Sequence, residues 1–287
     1  MPELPEVEAL RAFLTHSCLG KTVARVELLA FASLKTYAPP LTALSGLEVE
    51  QVTRHGKFLC LEVGGMWLVW HLARAGWLTW REGLPDAPAR PGKGPLALRM
   101  VFDDRTGFDL TEAGTQKRLA VYLVDDPSQV PGIAALGPDP LAAEFDQAAL
   151  EAILARAGRA QLKGVLRDQR VLAGIGNAYS DEILHAAKLS PFKASNALSP
   201  DELGRLYDAV KSELASAIAR SDGLAAYELK DAKRTNLRVH GRTGQACAVC
   251  GATIAEVAFA DSSLQYCPGC QTGGKPLADR RLSRLLK

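Results

Sequence analysis

Four cysteines near the carboxyl end form the pattern with the clearest chemistry. Cys247-Ala-Val-Cys250 is followed, after sixteen residues, by Cys267-Pro-Gly-Cys270. Two such pairs supply four thiolates that can close a tetrahedron around one Zn²⁺. Because four sulfur ligands leave no position for water, the pattern predicts a structural zinc and not a catalytic one. The alternatives are four reduced thiols without a metal and a disulfide pair.

The amino terminus, Met1-Pro2-Glu3, is the second candidate. Removal of Met1, which we expect before the small Pro2, leaves a secondary amine beside a carboxylate. An α-amine with a pKa of ~8 is partly unprotonated at neutral pH and therefore nucleophilic. Its condensation with a sugar aldehyde gives an iminium cation, which makes β-elimination at the next carbon feasible. The same residues also suit a helix start, with proline in the first turn and acids at the positive end of the dipole.

The third candidate is the segment KGVLRDQRVLAGIGNAY, which begins at Lys163. Gly174 and Gly176 predict tight turns ahead of a helix that begins near Asn177, with residues 181–182 in its first turn. Such a turn points free backbone N–H groups at an anion, usually a phosphate. A plain connection between two helices explains the two glycines equally well.

Charge is distributed unevenly along the chain. The 34 Lys and Arg against 32 Asp and Glu give a net charge of only +2 over 287 residues. Residues 230–287 nevertheless hold ten basic and four acidic residues, a net of +6, which leaves −4 for residues 1–229. A basic segment around a zinc site predicts phosphate contacts, and a solubilising surface is the alternative. The composition excludes a disordered tail protein, a collagen-like repeat and a small disulfide scaffold.

The elements that must position these residues are of two kinds. A helix at Glu6–Thr15 is followed by short runs of Val, Leu and aromatic residues between turn residues, which predict strands. These strands are Lys21–Leu28, Leu47–Val52, Lys57–Val63, Met66–Leu72, Leu96–Phe102 and Arg118–Val124. Helical spacing follows at Ala142–Ala157, Leu162–Leu166, Ala178–Ala187 and Pro200–Ser221, and 222–236 is polar and irregular. We therefore predict a β domain at 1–125, a linker at 126–140, a helical domain at 141–236, a zinc hairpin at 237–272 and a basic tail at 273–287.

No segment predicts a membrane span or a secretion signal. The most apolar stretch, Met66–Leu72, is far shorter than the roughly 20 residues that cross a bilayer. The amino terminus has no basic region, so a cytoplasmic protein is expected. Cys18 and Cys60 stand alone in apolar surroundings and are interpreted as small core residues.

Four motifs occur together, in order, in one protein family. They are MPELPEVE at 1–8, GKFL at 56–59, QLKGVLRDQRVLAGIGNAYSDEIL at 161–184, and the four-cysteine hairpin. Over Met1–Gln271 the chain resembles the formamidopyrimidine-DNA glycosylase and endonuclease VIII family of base-excision repair enzymes, and its opening octet is more similar to the first branch. The resemblance implies an α+β fold: an N-terminal catalytic β-sandwich with flanking helices, a helix–two-turn–helix domain and a zinc-finger β-hairpin.

The resemblance also implies roles for single residues. Pro2 would attack C1′ of the damaged nucleotide, Glu3 would act as acid and base, and Glu6 would support the site. Lys57 would donate a proton or meet a phosphate, the alternative being an ordinary exposed turn lysine. Contacts to DNA are expected from His71, Arg74, Lys163, Asn177 and Arg242.

Three departures from the family pattern stand out. Arg74 occupies the place of the void-filling methionine, and Leu110–Lys117 lacks the expected arginine and phenylalanine. Ser262 replaces an arginine of the zinc hairpin. A preference for 8-oxoguanine opposite cytosine therefore cannot be transferred to this chain, and single-stranded, bubble or bulky-lesion substrates become plausible. One hypothesis is that Arg280 or Arg281 in the tail restores the lost charge, and a surface helix that caps the hairpin is the alternative.

The expected protein is thus a divergent bacterial paralogue that acts on damaged DNA. It would excise oxidised or otherwise damaged bases through a Schiff base on Pro2, followed by β/δ-elimination, with one structural Zn²⁺. We expect a monomer in the cytoplasm, associated with the nucleoid and not with a membrane. The rival interpretation is a catalytically retired protein that binds abasic or distorted DNA; a zinc-ribbon transcription or translation factor would leave the β domain unexplained.

Overall fold

The chain divides into two units, each with its own hydrophobic core. In this computed structural model, residues 1–90, 92, 94–260 and 262–278 are described. Unit 1 comprises Met1–Leu136 and Ser221–Lys230, and unit 2 comprises Gly137–Arg220 and the chain from Asp231 onward. Unit 1 therefore includes residues 126–136 and 221–230, which the sequence assigned to the linker and to the helical domain.

Two antiparallel four-stranded sheets form most of unit 1, where the sequence predicted six strands. They follow helix α1 (Leu4–Cys18), and helix α2 (Pro131–Ala134) comes after them. The strands are β1 (Val23–Leu28), β2 (Val49–His55), β3 (Phe58–Val63), β4 (Met66–His71), β5 (Gly76–Arg81), β6 (Leu96–Phe102), β7 (Gly107–Glu112) and β8 (Ala120–Val124). The first sheet has the order β1-β6-β7-β5 and the second has the order β2-β3-β4-β8.

Strands β5 and β7 were not predicted. β7 carries an acid, Asp109, in its middle, and aspartate is depleted in strands. In the structure Asp109 is 1% exposed, and its carboxylate accepts hydrogen bonds from Arg81 at 2.8 Å and from Arg99 at 2.7 and 2.9 Å. This paired carboxylate is compatible with a buried strand because both arginines neutralise it.

The core of unit 1 is built from the facing sides of both sheets and from one side of α1. Its alternating inward residues include Leu59, Leu61, Leu68 and Trp70 from one sheet, Leu78, Leu98, Phe102 and Phe108 from the other, and Val7, Leu10 and Leu14 from the helix. Cys18 and Cys60 are buried, as expected, and burial raises the pKa of each thiol to about 12. Both thiols are therefore protonated and inert at neutral pH.

Unit 2 is helical and ends in a small hairpin. Its elements are α3 (Gln147–Ala157), α4 (Leu162–Arg167), α5 (Asn177–Ala186), α6 (Pro200–Ser221), α7 (Leu229–Asn236), β9 (Ala255–Ala258), β10 (Ser263–Tyr266) and α8 (Pro268–Gln271). The last residue of α6 and the first two residues of α7 are assigned to unit 1. α3 begins later than predicted because Asp146 caps it, accepting a hydrogen bond from Ala149 N at 2.8 Å. Helix α7 lies where an irregular segment was predicted.

The described part of the chain contains no helix long and apolar enough to cross a bilayer.

Candidate functional site

The start of α1 holds two buried carboxylates in a reciprocal capping arrangement. The backbone N–H of Glu3 donates to Glu6 Oε2 at 2.8 Å, and the Glu3 side chain accepts from the backbone of Glu6. Both glutamates are 2% exposed, and Pro2 beside them is buried. The helix-start interpretation is therefore correct as local structure. The same capping box fixes the Glu3 carboxylate at the start of the helix, and its catalytic role stays a prediction.

Lys57 lies in the two-residue turn between β2 and β3, where His55 pairs with Phe58. Gly56, the first turn residue, has φ +55, a left-handed conformation that favours glycine. Lys57 is only 7% exposed, so the alternative of an ordinary exposed turn lysine is wrong. A buried ammonium carries a desolvation cost, which is characteristic of functional positions.

An ion pair ties this turn to α1. Arg54 Nε donates to Glu8 Oε2 at 2.8 Å, and Arg54 Nη1 donates to the carbonyl oxygen of Gly56 at 3.0 Å. The Arg54 side chain is 8% exposed, and Arg11 Nε holds the other Glu8 oxygen at 2.7 Å. Burial alone would raise the pKa of Glu8, but the hydrogen bonds from Arg54 and Arg11 lower it overall. Glu8 and Arg54 were not predicted, since only the fold brings the helix and the turn together.

His71, at the end of β4, is a neutral imidazole. Burial, together with the positive charge of Lys57, lowers the pKa of His71 to about 4. Its Nδ1 accepts the N–H of Ala73 at 3.1 Å, so the neutral ring carries its proton on Nε2. The ring lies 4.7 Å from that of Phe58. The predicted contact of His71 with DNA would therefore be an uncharged N–H donor.

Arg74 lies exposed on a tight loop between β4 and β5. The N–H of Gly76 donates to the carbonyl oxygen of Leu72 at 2.8 Å, and Ala73 has φ +50. A Cβ at position 76 would lie 2.1 Å from that same oxygen, so only glycine fits there. Arg74 is thus presented from a constrained loop, at the position where the family pattern has methionine.

The divergent loop after β7 is closed by its own contacts. Glu112 is 4% exposed, and its Oε1 accepts from the N–H groups of Arg118 at 2.7 Å and Leu119 at 3.0 Å. Lys117 Nζ also donates to the carbonyl oxygen of Glu112. This loop is therefore held in shape without the arginine and phenylalanine of the family pattern.

In unit 2, Lys163 lies inside the helical domain. Its Nζ donates to Asp181 Oδ1 at 2.5 Å and to the carbonyl oxygen of Asn177 at 2.7 Å, and the residue is 4% exposed. Asp181 is fully buried in the second turn of α5, not in the first as predicted, and its Oδ2 lies 2.7 Å from His240 Nδ1. These contacts give Lys163 a structural role, and its contact with a phosphate stays a prediction.

Asn177 begins α5 directly after Gly176, close to where the sequence placed the helix start. Its side-chain Nδ2 donates to the carbonyl oxygen of Ser263 at 2.8 Å, which ties the helix to the hairpin. The Oδ1 atom is buried and has no hydrogen-bond partner among the described residues. One of the two Nδ2 protons is engaged by Ser263, and the backbone N–H groups at the start of the helix are further donors for an anion at this turn.

The turn at 237–242 is held from both sides. Glu182, 3% exposed, accepts backbone hydrogen bonds from Arg238 at 2.8 Å and from Val239 and His240 at 2.9 Å each. The Arg242 guanidinium donates to the carbonyl oxygens of Leu237 and Thr235 and to the side chain of Gln245. Arg242, a predicted DNA contact, therefore closes the turn that carries it.

The hairpin turn and the start of the tail are described in part. Ser262 accepts the N–H of Phe259 at 2.7 Å, and the N–H of Leu277 donates to the Tyr266 hydroxyl at 2.7 Å. The first residues of the tail thus pack on the hairpin. Arg280 and Arg281, proposed above to replace the charge lost at Ser262, lie outside the described residues.

The four predicted zinc ligands lie close together at the hairpin. Cys250 Sγ is 3.3 Å from Cys267 Sγ, and Cys247 Sγ is 3.9 Å from Cys270 Sγ. Zn–S bonds of 2.3 Å in a tetrahedron require S–S separations of ~3.8 Å. A Cβ on Gly269 would lie 2.9 Å from Cys250 Sγ, so glycine allows the second knuckle to approach the first. A further neighbour, which no sequence motif indicated, is His185 on α5. Its Nε2 lies 3.4 Å from Cys247 Sγ.

Three family models match successive parts of the chain. The formamidopyrimidine-DNA glycosylase N-terminal domain matches residues 1–119, the H2TH domain of the same enzymes matches 136–227, and the zinc finger found in FPG and IleRS matches 244–273. A formamidopyrimidine-DNA glycosylase of Symbiobacterium thermophilum is 34% identical over 294 residues, covering 98% of this chain and 93% of the relative. The chain belongs to the formamidopyrimidine-DNA glycosylase family.

Other family members resemble it in sequence and in structure. A Mycobacterium tuberculosis protein described as an uncharacterized formamidopyrimidine-DNA glycosylase-like protein is 57% identical over 153 residues, 53% of this chain and 95% of that protein. The Lactococcus lactis enzyme, solved non-covalently bound to DNA containing an AP site, superposes with a TM-score of 0.81 at 27% identity, covering 94% and 99% of the two chains. The structure of MutM (FPG) from Thermus thermophilus superposes with a TM-score of 0.78 at 32% identity. The match covers 96% of this chain and 100% of that one.

The family assignment and the thiol cluster together establish the cofactor. The matched zinc finger spans all four cysteines, and the ligand atoms of Cys247, Cys267, Cys270 and His185 lie within 4.8 Å of one another. The donor set fits a tetrahedral, sulfur-rich zinc site. This formamidopyrimidine-DNA glycosylase family member therefore has one structural zinc, as the cysteine spacing predicted.

Proposed function

We propose that this protein is a bifunctional DNA glycosylase and AP lyase of base-excision repair that uses the Pro2 amine, exposed by removal of Met1, as its nucleophile. The observation that carries the proposal is the buried group at the start of α1, where the capping box fixes Glu3 beside Pro2. Glycosylase activity in DNA repair is what the family is named for. The lyase step rests on the secondary amine of Pro2.

The proposed reaction proceeds in balanced steps. The Pro2 nitrogen bonds to C1′ of the damaged nucleotide as the glycosidic bond breaks, and the base leaves with the bonding electron pair and takes up a proton. Glu3 protonates the ring oxygen, so the sugar opens and an iminium forms between Pro2 and C1′. The Glu3 carboxylate then accepts a proton from C2′, and the 3′ phosphate leaves. In a second elimination C4′ loses a proton to solvent and the 5′ phosphate leaves, and water then hydrolyses the iminium to free the amine.

The other residues of unit 1 prepare these steps. Glu6 orients Glu3 through the capping box, and the pair of Glu8 with Arg54 holds the turn that carries Lys57. The Lys57 ammonium would stabilise a departing phosphate. His71 would donate an uncharged N–H to the DNA backbone, and Arg74 would contact the strand from its loop.

Unit 2 would hold the DNA backbone. A base in a duplex must be flipped out before C1′ can be attacked, which costs a few kcal/mol and is offset by phosphate contacts. The start of α5 at Asn177 offers backbone N–H groups for one such contact. The Lactococcus lactis relative has been solved with DNA that contains an abasic site, which supports damaged DNA as the partner of this chain. We expect the protein to act as a monomer.

The substrate preference of this protein should differ from that of the formamidopyrimidine branch of the family. The place of the methionine is taken by Arg74, and the loop after β7 closes on itself through Glu112. The flexible, uncharged methionine side chain is therefore replaced by the cationic side chain of Arg74. A cation favours contact with a phosphate over filling the space left by the flipped base. We propose that the protein accepts damaged bases in bubbles or single strands, and that it does so in the bacterial cytoplasm, at the nucleoid.

Borohydride trapping tests this function. Oligonucleotides with an abasic site, 8-oxoguanine or an oxidised pyrimidine are offered as duplex, bubble and single strand, with protein confirmed by mass to lack Met1. A covalent adduct is expected with abasic DNA, and its yield should fall strongly in Pro2→Gly, whose primary amine forms an imine in place of the permanently charged iminium. The matched control is Pro2→Leu, whose larger second residue retains Met1. Binding without any adduct on any of these DNAs would instead support a retired, damage-binding protein.

A further inference from the structure

The zinc site has five metal-binding donors, one more than a tetrahedral zinc can use. Four are the cysteine thiols, and the fifth is His185, which lies 62 positions before Cys247 in the chain. The Nε2 atom of His185 is 3.4 Å from the Sγ atom of Cys247. His185 is 3% exposed, so it is not a surface residue that happens to reach the site. Its other ring nitrogen, Nδ1, is buried and has no hydrogen-bond partner among the described residues.

The five donors differ in how well they are protected. Cys247 and Cys267 are buried and Cys270 is partly exposed, whereas Cys250 is the exposed cysteine of the site. The group whose ligand atoms all lie within 4.8 Å of one another is His185, Cys247, Cys267 and Cys270. Cys250 is not among these four, although its Sγ lies 3.3 Å from that of Cys267.

His185 is also held firmly at this position. It belongs to α5, whose Glu182 binds three backbone N–H groups of the 237–242 turn and whose Asp181 pairs with Lys163. The side chain of Gln271, next to Cys270, donates to the carbonyl oxygen of Leu189 at 2.9 Å. The imidazole and the cysteines thus belong to one connected part of unit 2.

We propose that His185 is a reserve zinc ligand. In the intact protein the metal is bound by the four cysteines, and His185 Nε2 donates a hydrogen bond to the Cys247 thiolate. Whenever Cys250 is not bonded to the metal, the ring proton of His185 moves from Nε2 to Nδ1 by exchange with solvent, and Nε2 supplies the fourth bond. Cys247, Cys267 and Cys270 are common to both ligand sets. Imidazole and thiolate are the two donor types that structural zinc sites combine. The exposed Cys250 can then lose its bond to the metal while the metal stays bound.

The test compares metal binding by full-length variants. Cys250→Ala removes an exposed thiol, His185→Phe keeps a ring of similar size without nitrogen, and the double variant removes both donors. Zinc content is measured after dialysis against a chelator, and each protein is also loaded with Co²⁺, whose visible bands shift to shorter wavelength when nitrogen replaces sulfur. Cys267→Ala is the matched control, because Cys267 is shared by both ligand sets.

The expected results separate a ligand from a residue that only supports one. Cys250→Ala should fold, keep one metal per chain and show the nitrogen-shifted Co²⁺ spectrum. His185→Phe alone should keep the all-sulfur spectrum, with affinity lowered by about 10-fold through the lost hydrogen bond. In the Cys250→Ala background, His185→Phe should weaken binding by more than about 100-fold, beyond the range of a residue that acts only through a ligand. Cys267→Ala should lose the metal.

Two outcomes would overturn the proposal. One is a Cys250→Ala protein that lacks metal or does not fold. The other is a double variant that binds metal as tightly as Cys250→Ala, since water would then be the fourth ligand. An independent measurement uses the unsubstituted cysteines: iodoacetamide on the folded protein should alkylate Cys250 with retention of zinc, whereas the same treatment of His185→Phe should release it. Equal release from both proteins would also contradict the proposal.

Discussion

The charged residues of unit 1 and unit 2 were both predicted from sequence motifs, yet the structure uses them differently. At the start of α1, the side chains of Glu3 and Glu6 each accept a hydrogen bond from the backbone of the other, directly after Pro2 in the chain. In unit 2, Lys163 and Arg242 use their donors on the fold itself, the first on Asp181 and the second on the 237–242 turn. In unit 1 the motif residues cap the helix that begins next to the proposed nucleophile, whereas in unit 2 the motif residues connect different segments of the fold.

Removal of the Glu3 carboxyl should have the largest effect. Glu3→Gln keeps the size of the side chain but loses the acid and base, so the rate of strand cleavage at an abasic site should fall by about 10²–10⁴-fold. Glu6→Gln is the matched control, because its amide oxygen still accepts the N–H of Glu3, and it should lose about 10-fold or less. Single-turnover cleavage measures both. Equal losses in the two variants would remove the distinction between the catalytic and the positioning residue.

In unit 2, loss of Lys163 should cost stability first. Lys163→Met leaves the fully buried Asp181 carboxylate without its cation, so the free energy of unfolding should fall by about 3–5 kcal/mol. The double variant Lys163→Met with Asp181→Asn removes the uncompensated charge and should recover part of this loss. Urea denaturation measures both. If Lys163→Met keeps full stability and only weakens DNA binding, the lysine is a phosphate contact and the contrast between the units fails.

His71 should make stability depend on pH in unit 1. Its pKa is lowered by burial to about 4, so between pH 6.5 and 4 the unfolded chain binds a proton that the folded chain does not. Stability should therefore decrease as pH falls through this window, by up to about 1.4 kcal/mol per pH unit. His71→Asn should lose less stability than the parent over the same range. Parallel slopes for the two proteins would show that the imidazole is not held in its neutral form.

The smallest effect is expected from Arg242. Its guanidinium is engaged by the 237–242 turn, so Arg242→Ala should leave the salt dependence of DNA binding unchanged, although it weakens the turn. Arg74→Ala, from an exposed loop in unit 1, should reduce the slope of log K against log [salt] by about 1. Fluorescence anisotropy at several salt concentrations measures both slopes. A reduced slope of log K against log [salt] for Arg242→Ala would show that Arg242 contacts a phosphate.

The sequence was most informative where a motif is local. The α+β class, the six predicted strands, the main helices and the zinc site follow from periodicity, the quoted motifs and two CxxC pairs. It was least informative where distant residues meet. The pair of Glu8 with Arg54, the contact of His185 with Cys247 and the burial of Lys57 depend on chain segments that only tertiary folding brings together. Strand β7 was missed because Asp109 is compatible with a strand only once Arg81 and Arg99 pair with it.

The most direct test of the central claim is to locate the covalent bond. Protein that lacks Met1 is trapped on abasic DNA with borohydride, the adduct is digested with a protease and nucleases, and the modified peptide is sequenced by mass spectrometry. We predict that the sugar remnant is attached to the nitrogen of Pro2 and that no lysine peptide carries it. A remnant on Lys57 or on any other lysine, with Pro2 unmodified, would contradict the proposal that the amino-terminal proline is the nucleophile.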